Sequence, residues 1–222
     1  MKVYAVRVLD IDREEIDKLC LLISLENKNR IERFVSKKDK IRTLVGELLI
    51  RKIVKERLGI GNEAITIGKN QYGKPYLEND PSLHFNVSHS GDYVVCAFDE
   101  KPVGVDIEQI EYIEDYKEIA ERYFTKIEID HVTKSDDYSL SRFYEIWTAK
   151  ESYIKCNGKG LSIPLKSFSI EIIHGNIRAV IDKEGSEFAF EQFAIDPDYI
   201  LTVCSMGCLI ASDVISICQK EL

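Results

Sequence analysis

Two stretches of this chain echo each other, and the echo limits the folds open to it. Phe34-Val-Ser-Lys precedes Arg42 and an apolar-periodic run that stops at Gly59; Phe124-Thr-Lys precedes Arg142 and a second run that stops at Gly158. In the first run Ile41, Leu44, Val45 and Leu48 recur at helical spacing, and a glycine just past the last periodic residue is a helix stop. Helices bounded in this way, with strand-like segments between them, suit two related α+β halves that meet across a cleft.

Alternation predicts a strand over residues 1–9, and an acidic start predicts a helix over 12–25. Long helices are expected over 36–58 and 139–155. Short strands are expected over 64–67, 84–87, 93–98 and 103–107, and strands and turns over 168–218. The N-terminus lacks the apolar core of a signal peptide, and no apolar run approaches the ~20 residues of a membrane span. A cytoplasmic protein is therefore expected. Six cysteines (Cys20, Cys96, Cys156, Cys204, Cys208, Cys218) show no CxxC spacing and are expected to be reduced, small hydrophobes.

Charge narrows the function. With 30 Lys+Arg against 38 Asp+Glu the chain carries −8, which argues against a nucleic-acid binder because phosphate backbones demand a cationic surplus. Yet residues 27–55 carry a net +7 (ten Lys/Arg, three Asp/Glu); a solvated helix face accounts for much of that excess, and the functional reading is a pocket rim that attracts a polyanion.

Three segments carry candidate chemistry. In Gly104-Val-Asp106-Ile-Glu108, strand alternation points Asp106 and Glu108 the same way, and two parallel carboxylates need a cation between them. Oxygen ligands with no nearby His or Cys suit Mg²⁺ rather than Zn²⁺. In Trp147-x2-Lys150-Glu151-Ser-Tyr-Ile-Lys155, Glu151 and Lys155 lie one helical turn apart, so Glu151 offers a third carboxylate and the lysines a grip on phosphate. The third segment joins Gly73-Lys74-Pro75 to Phe85-Asn86-Val-Ser88-His89-Ser90. Gly68-x4-Gly73-Lys74 is not a P-loop, because Pro75 stands where a Ser/Thr is required. Ser88-His89 is not a hydrolase pair, because no GxSxG elbow surrounds it.

These motifs, in this order, resemble those of the 4′-phosphopantetheinyl transferases, most closely the larger, monomeric, surfactin-synthetase-activating type, from the first strand to about Ser169. The resemblance implies an α+β fold of two similar α/β halves related by a pseudo-twofold axis, with the active site at their interface. Residues 1–101 would contact the nucleotide end of coenzyme A and residues 102–222 would bind Mg²⁺ and carry catalysis. The implied reaction moves the 4′-phosphopantetheine arm of coenzyme A to a serine of an apo acyl or peptidyl carrier protein. It implies Asp106, Glu108 and Glu151 on Mg²⁺, and Lys150 and Lys155 on the pyrophosphate. Ser88 and His89 would meet the 3′-phosphate, and Lys74, Arg42, Thr43 and Arg30 the nucleotide. Glu128 would remove the serine proton, joining Glu151 and Lys155 as catalytic residues. Asn27 departs from the basic residue related chains can carry there, with Lys28 as its substitute.

A monomer with no nucleic-acid or membrane partner is expected. Residues 106–130 hold nine acids against three bases, so an acidic carrier would have to dock mainly through apolar groups such as Tyr112, Ile113 or Tyr116. The rival readings are a non-catalytic coenzyme A or nucleotide-binding regulator, which gains nothing from three acids beside a pyrophosphate, and a metal-dependent nucleotide hydrolase.

Overall fold

In β1 (Lys2–Arg7) the pairs Val3/Ala5 and Tyr4/Val6 point to opposite faces and all four are buried, so this strand is covered on both sides. The structure is a computed structural model that describes residues 1–173, 176–180, 188–207 and 213–222. After β1 come α1 (Arg13–Leu19), α2 (Leu25–Glu32) and α3 (Lys37–Leu58), then a small hairpin of β2 (Ile67–Lys69) and β3 (Pro75–Leu77). A second hairpin, β4 (His84–Ser90) and β5 (Tyr93–Asp99), completes the first half.

The second half repeats this connectivity. β6 (Val103–Gln109) is followed by α4 (Tyr116–Tyr123), α5 (Lys126–Val132) and the long α6 (Ser139–Asn157), then by β7 (Ser169–Ile173), β8 (Asn176–Val180), β9 (Phe188–Phe193) and β10 (Tyr199–Met206). The strand order β1-β5-β4 of the first sheet recurs as β6-β10-β9 in the second. The last strand, β11 (Val214–Ser216), pairs in parallel with β1, and Ile217 and Leu222 pack on the first half's core. The 102–222 unit is therefore not self-contained: its end returns to the first half.

Two helices and two sheets stack in layers. Leu44, Leu48 and Val54 of α3 pack with Val94, Cys96 and Phe98, while Val95 and Ala97, on the other face of β5, meet Val105, Ile107, Leu201 and Val203 of the second sheet. The outer face of that second sheet is covered by α6, whose Ala149 and Cys156 share a core with Cys204.

Caps decide the helix ends. Ser36 accepts from Asp39 N at the start of α3 and Gly59 closes it at φ 65°; Gly158 closes α6 at φ 78°, a left-handed conformation that favours glycine. The helix expected over 12–25 breaks. It ends in a 3₁₀ turn at Cys20–Leu22, Ile23 is extended, and Ser24 caps α2 by accepting from Asn27 N. The strand expected over 64–67 also shifts, because Asn62–Ala64 is a 3₁₀ turn and pairing begins at Ile67. Thr125 caps the short α5 rather than the long helix, so the second copy of the echo carries an extra helix.

Cys20, Cys96, Cys156 and Cys204 are free and buried as expected; Cys218 is free but exposed, and Cys208 lies outside the described residues. Among the described residues no helix is long and apolar enough to cross a membrane.

Candidate active site

β4, at the edge of the first sheet, runs beside β6, at the edge of the second, and side chains stitch this seam. Asn86, Ser88 and Ser90 alternate with Phe85, Val87 and His89, so their side chains leave β4 toward the same neighbour. Asn86 Oδ1 accepts from Val105 N at 2.8 Å, Ser88 Oγ lies 3.5 Å from Ile107 N, and Ser90 Oγ accepts from Gln109 N at 3.1 Å. The hydroxyls also donate to the carboxylates of β6: Ser88 to Asp106 Oδ1 at 2.9 Å and Ser90 to Glu108 Oε2 at 2.8 Å.

α6 lies across the same strand. Gly104 allows this close approach, since a Cβ there would fall 2.0 Å from Ser152 O and 2.3 Å from Cys156 N. Trp147, Glu151 and Lys155, spaced i, i+4 and i+8, thereby face a cleft of about 850 Å³ that Asp106 and Glu108 also line. Across it stand Arg30, Arg42, Thr43, Ser88 and His89, with Asn27, Glu47 and Lys69.

The electrostatics are those of a crowded acid wall with one cation among it. Lys155 Nζ donates to Asp106 Oδ1 at 2.6 Å, Ser88 Oγ at 2.9 Å and Val105 O at 3.2 Å. Burial and then the Asp106 charge push the Glu108 carboxyl up to about 7, and the same two causes raise Glu151. Among the described residues, Asp106 Oδ2 and Arg42 Nε are buried without a hydrogen-bond partner, an acceptor and a donor on two residues that line the cleft. Among the described residues no three of His, Cys, Asp and Glu already stand together as a metal cluster. The acids share one wall, with Lys155 seated on Asp106 and Ser90 on Glu108.

His89 opens into the cleft. Burial, then the positive Arg42, lower its imidazole pKa. Arg42 itself is ion-paired with Asp39 and donates to Gly91 O at 3.1 Å.

Three expected roles need correction. Lys150 does not reach the cleft: consecutive helix residues lie ~100° apart, and Lys150 points beneath α6 while Glu151 points into the cleft. There Lys150 pairs with Glu128, donates to Phe168 O at 2.9 Å, and both side chains are 0% exposed. Glu128 is equally unavailable as a proton acceptor, being the reciprocal half of the capping box with Thr125 and the acceptor for Ile170 N at 2.7 Å. Lys74 turns away from the cleft that Gly73 and Pro75 line, and donates to Val103 O at 3.0 Å and Cys156 O at 3.1 Å, clamping the two halves. Ser88 lines the cleft beside His89, with its hydroxyl bonded to Asp106 and Lys155. Asn27 lines the cleft, whereas Lys28 is not among the lining residues.

Sequence reasoning missed Asn86 and Ser90 as seam residues. The signal was present in the alternation of Asn86-Val-Ser88-His89-Ser90, whose polar members all project one way. Of the apolar docking candidates, Tyr112 is exposed, but Ile113 and Tyr116 pack on the second half's core.

Residues 11–101 match the family model for the 4′-phosphopantetheinyl transferase N-terminal region, and residues 102–204 match that of the 4′-phosphopantetheinyl transferase superfamily. The chain belongs to the 4′-phosphopantetheinyl transferase family. This transferase is 36% identical over 225 residues to 4′-phosphopantetheinyl transferase Sfp of Bacillus subtilis (strain 168), with 100% of each chain covered. It is 47% identical over 163 residues to 4′-phosphopantetheinyl transferase gsp of Aneurinibacillus migulanus, covering 73% of this chain and 67% of that one. A rat relative, L-aminoadipate-semialdehyde dehydrogenase-phosphopantetheinyl transferase, is 34% identical over 204 residues, covering 82% and 66%. The solved holo-(acyl-carrier-protein) synthase of Thermotoga maritima aligns at 14% identity and a TM-score of 0.42, over 49% of this transferase and 64% of that chain. The reading as a non-catalytic regulator finds no support in these relatives.

Proposed function

We propose that this transferase moves the 4′-phosphopantetheine arm of coenzyme A onto a serine hydroxyl of an apo acyl or peptidyl carrier protein, leaving adenosine 3′,5′-bisphosphate. The observation that supports this most is Asp106 Oδ2: a buried carboxylate oxygen without a partner, on a wall of acids that faces a wall of cations.

The donor set fits Mg²⁺. Three carboxylates with no thiol or imidazole among them are ligands for a hard cation, and a partnerless buried oxygen is costly unless something occupies it. Asp106, Glu108 and Glu151 would hold the ion, which when bound supplies charge neutralisation for the diphosphate.

The chain's own residues do the rest. Arg30, Arg42, Thr43 and His89 grip the nucleotide end and so fix the donor for in-line attack. The serine oxygen bonds to the phosphorus bearing pantetheine, and the bond from that phosphorus to the bridging oxygen breaks. The electron pair leaves with the adenosine bisphosphate, whose new phosphate charge Lys155 offsets. The serine proton passes to a carboxylate of the acid wall or to water in the cleft. The protein would act as a cytoplasmic monomer, without nucleic-acid or membrane partners, on carriers of fatty-acid, polyketide or nonribosomal-peptide systems.

The test is a mass measurement on an apo carrier incubated with coenzyme A. The reading expects a gain of one phosphopantetheine group that requires Mg²⁺. Consumption of coenzyme A with no carrier present, and no mass gain when one is added, would assign a hydrolase instead.

A further inference from the structure

Each polar side chain of the β4 row takes one backbone N–H of β6, but the three are not equivalent. Asn86 satisfies Val105 N and touches no carboxylate. Ser88 shares its hydroxyl among Asp106, Lys155 and the backbone. Among the described residues Ser90 has two side-chain partners, accepting from Gln109 N at 3.1 Å and donating to Glu108 Oε2 at 2.8 Å.

A hydroxyl has a single proton. Once the Gln109 amide occupies a lone pair of Ser90 Oγ, the rotor is fixed and the proton is aimed at Glu108. Glu108 gains no direct hydrogen bond from Lys155, whose ammonium bonds Asp106 Oδ1. The hydroxyl of Ser90 therefore fixes one carboxylate oxygen against β4 and leaves Oε1 directed elsewhere. Partners of this kind, which hydrogen-bond a ligating carboxylate from behind, set ligand orientation and metal affinity.

We propose that Ser90 is a positioning residue for the transfer: it locks Glu108 across the seam so that one half of the protein orients a metal-holding carboxylate of the other. The proposal rests on the reading of Asp106, Glu108 and Glu151 as the Mg²⁺ site. It makes Ser90 and Asn86 separable, because both stitch the seam and only Ser90 touches an acid.

The experiment is calorimetric titration of Mg²⁺ into the full-length transferase saturated with coenzyme A, without carrier, for wild type, Ser90→Ala, Ser90→Thr and Asn86→Ala, each checked by thermal melting. Ser90→Ala is expected to weaken Mg²⁺ binding roughly 10-fold or more, and Ser90→Thr, which keeps the hydroxyl, to restore it. Asn86→Ala is expected to melt earlier with its Mg²⁺ affinity unchanged. In steady state the Mg²⁺ concentration for half-maximal transfer should rise in Ser90→Ala while the KM for coenzyme A holds. Wild-type binding with an unchanged Ser90→Ala overturns the role of Ser90 alone. Equal losses in Ser90→Ala and Asn86→Ala also overturn it, since the seam would then matter only as structure. No Mg²⁺ binding by wild type overturns the metal reading and the role of Ser90 with it.

Discussion

Lys155 Nζ lies 2.6 Å from Asp106 Oδ1 and leaves Asp106 Oδ2 buried without a partner. One oxygen of the key carboxylate is thus held by the protein's own cation, and the other lies buried beside the cleft with no hydrogen-bond partner among the described residues. The arrangement orients Asp106 and pairs its carboxylate with a cation in a buried position where a lone carboxylate would be costly.

Replacing Asp106 by Asn removes the charge while keeping the shape. Transfer should fall by about three orders of magnitude, the equivalent of several kcal/mol of lost charge stabilisation. Far-ultraviolet dichroism should be unchanged, and the stabilisation of the coenzyme A complex by added Mg²⁺ should vanish. Normal turnover at saturating Mg²⁺ would contradict the role assigned to Asp106.

His89 predicts a pH dependence with a definite sign. Burial, Arg42 and Lys155 lower its pKa, against opposing effects of a backbone hydrogen bond and of Asp39, which favours the neutral imidazole in the free protein. A 3′-phosphate beside it favours the protonated ring, and a proton is taken up on binding. Affinity for coenzyme A relative to its 3′-dephospho form should rise as pH falls from 8 to 6.5 and become flat in His89→Ala. That variant should lose roughly 10-fold in coenzyme A affinity, the worth of one charge-assisted hydrogen bond. Equal losses for both donors would show that the ring does not meet the 3′-phosphate.

Glu128 and Lys150 form a desolvated pair under α6, so single and double substitutions should differ in kind. Glu128→Gln strands a buried ammonium and should cost about 3–5 kcal/mol in stability. Glu128→Leu combined with Lys150→Met replaces the pair by apolar groups and should recover most of that loss and substantial transfer. A double variant that folds at wild-type stability yet transfers nothing would return Glu128 to the chemistry.

Gly104→Ala tests how the site is held. The added methyl would press on the backbone of α6 at Ser152 and Cys156. Overpacking of this kind should cost about 1–3 kcal/mol, read as a lower midpoint in urea. Because the displaced helix carries Glu151 and Lys155, kcat should fall more than KM rises.

The sequence disclosed the site's composition better than its orientation. Ser36, Gly59 and Gly158 marked helix ends because capping is local chemistry. Ile23 and Ser24 were read through as helix because apolar residues continue past a break that only the Ser24 cap reveals. Asp106 and Glu108 were legible from strand alternation, and Glu151 and Lys155 from helical spacing. Lys150 and Lys74 were assigned to the cleft by their company in a motif. One step of ~100° around a helix, or one step along an extended segment, sends a side chain the other way, and burial of the partner decides which. Glu128 could be placed only with its tertiary partners, Lys150 and Ile170 N, in view.

A diffraction structure of the transferase with coenzyme A and Mg²⁺ tests the central claim most directly. The account predicts electron density for one ion bridging the pyrophosphate and Asp106 Oδ2 at ~2.1 Å, with Glu108 and Glu151 completing the protein's share of its ligands. An ion bound to the pyrophosphate but out of reach of Asp106 would contradict it.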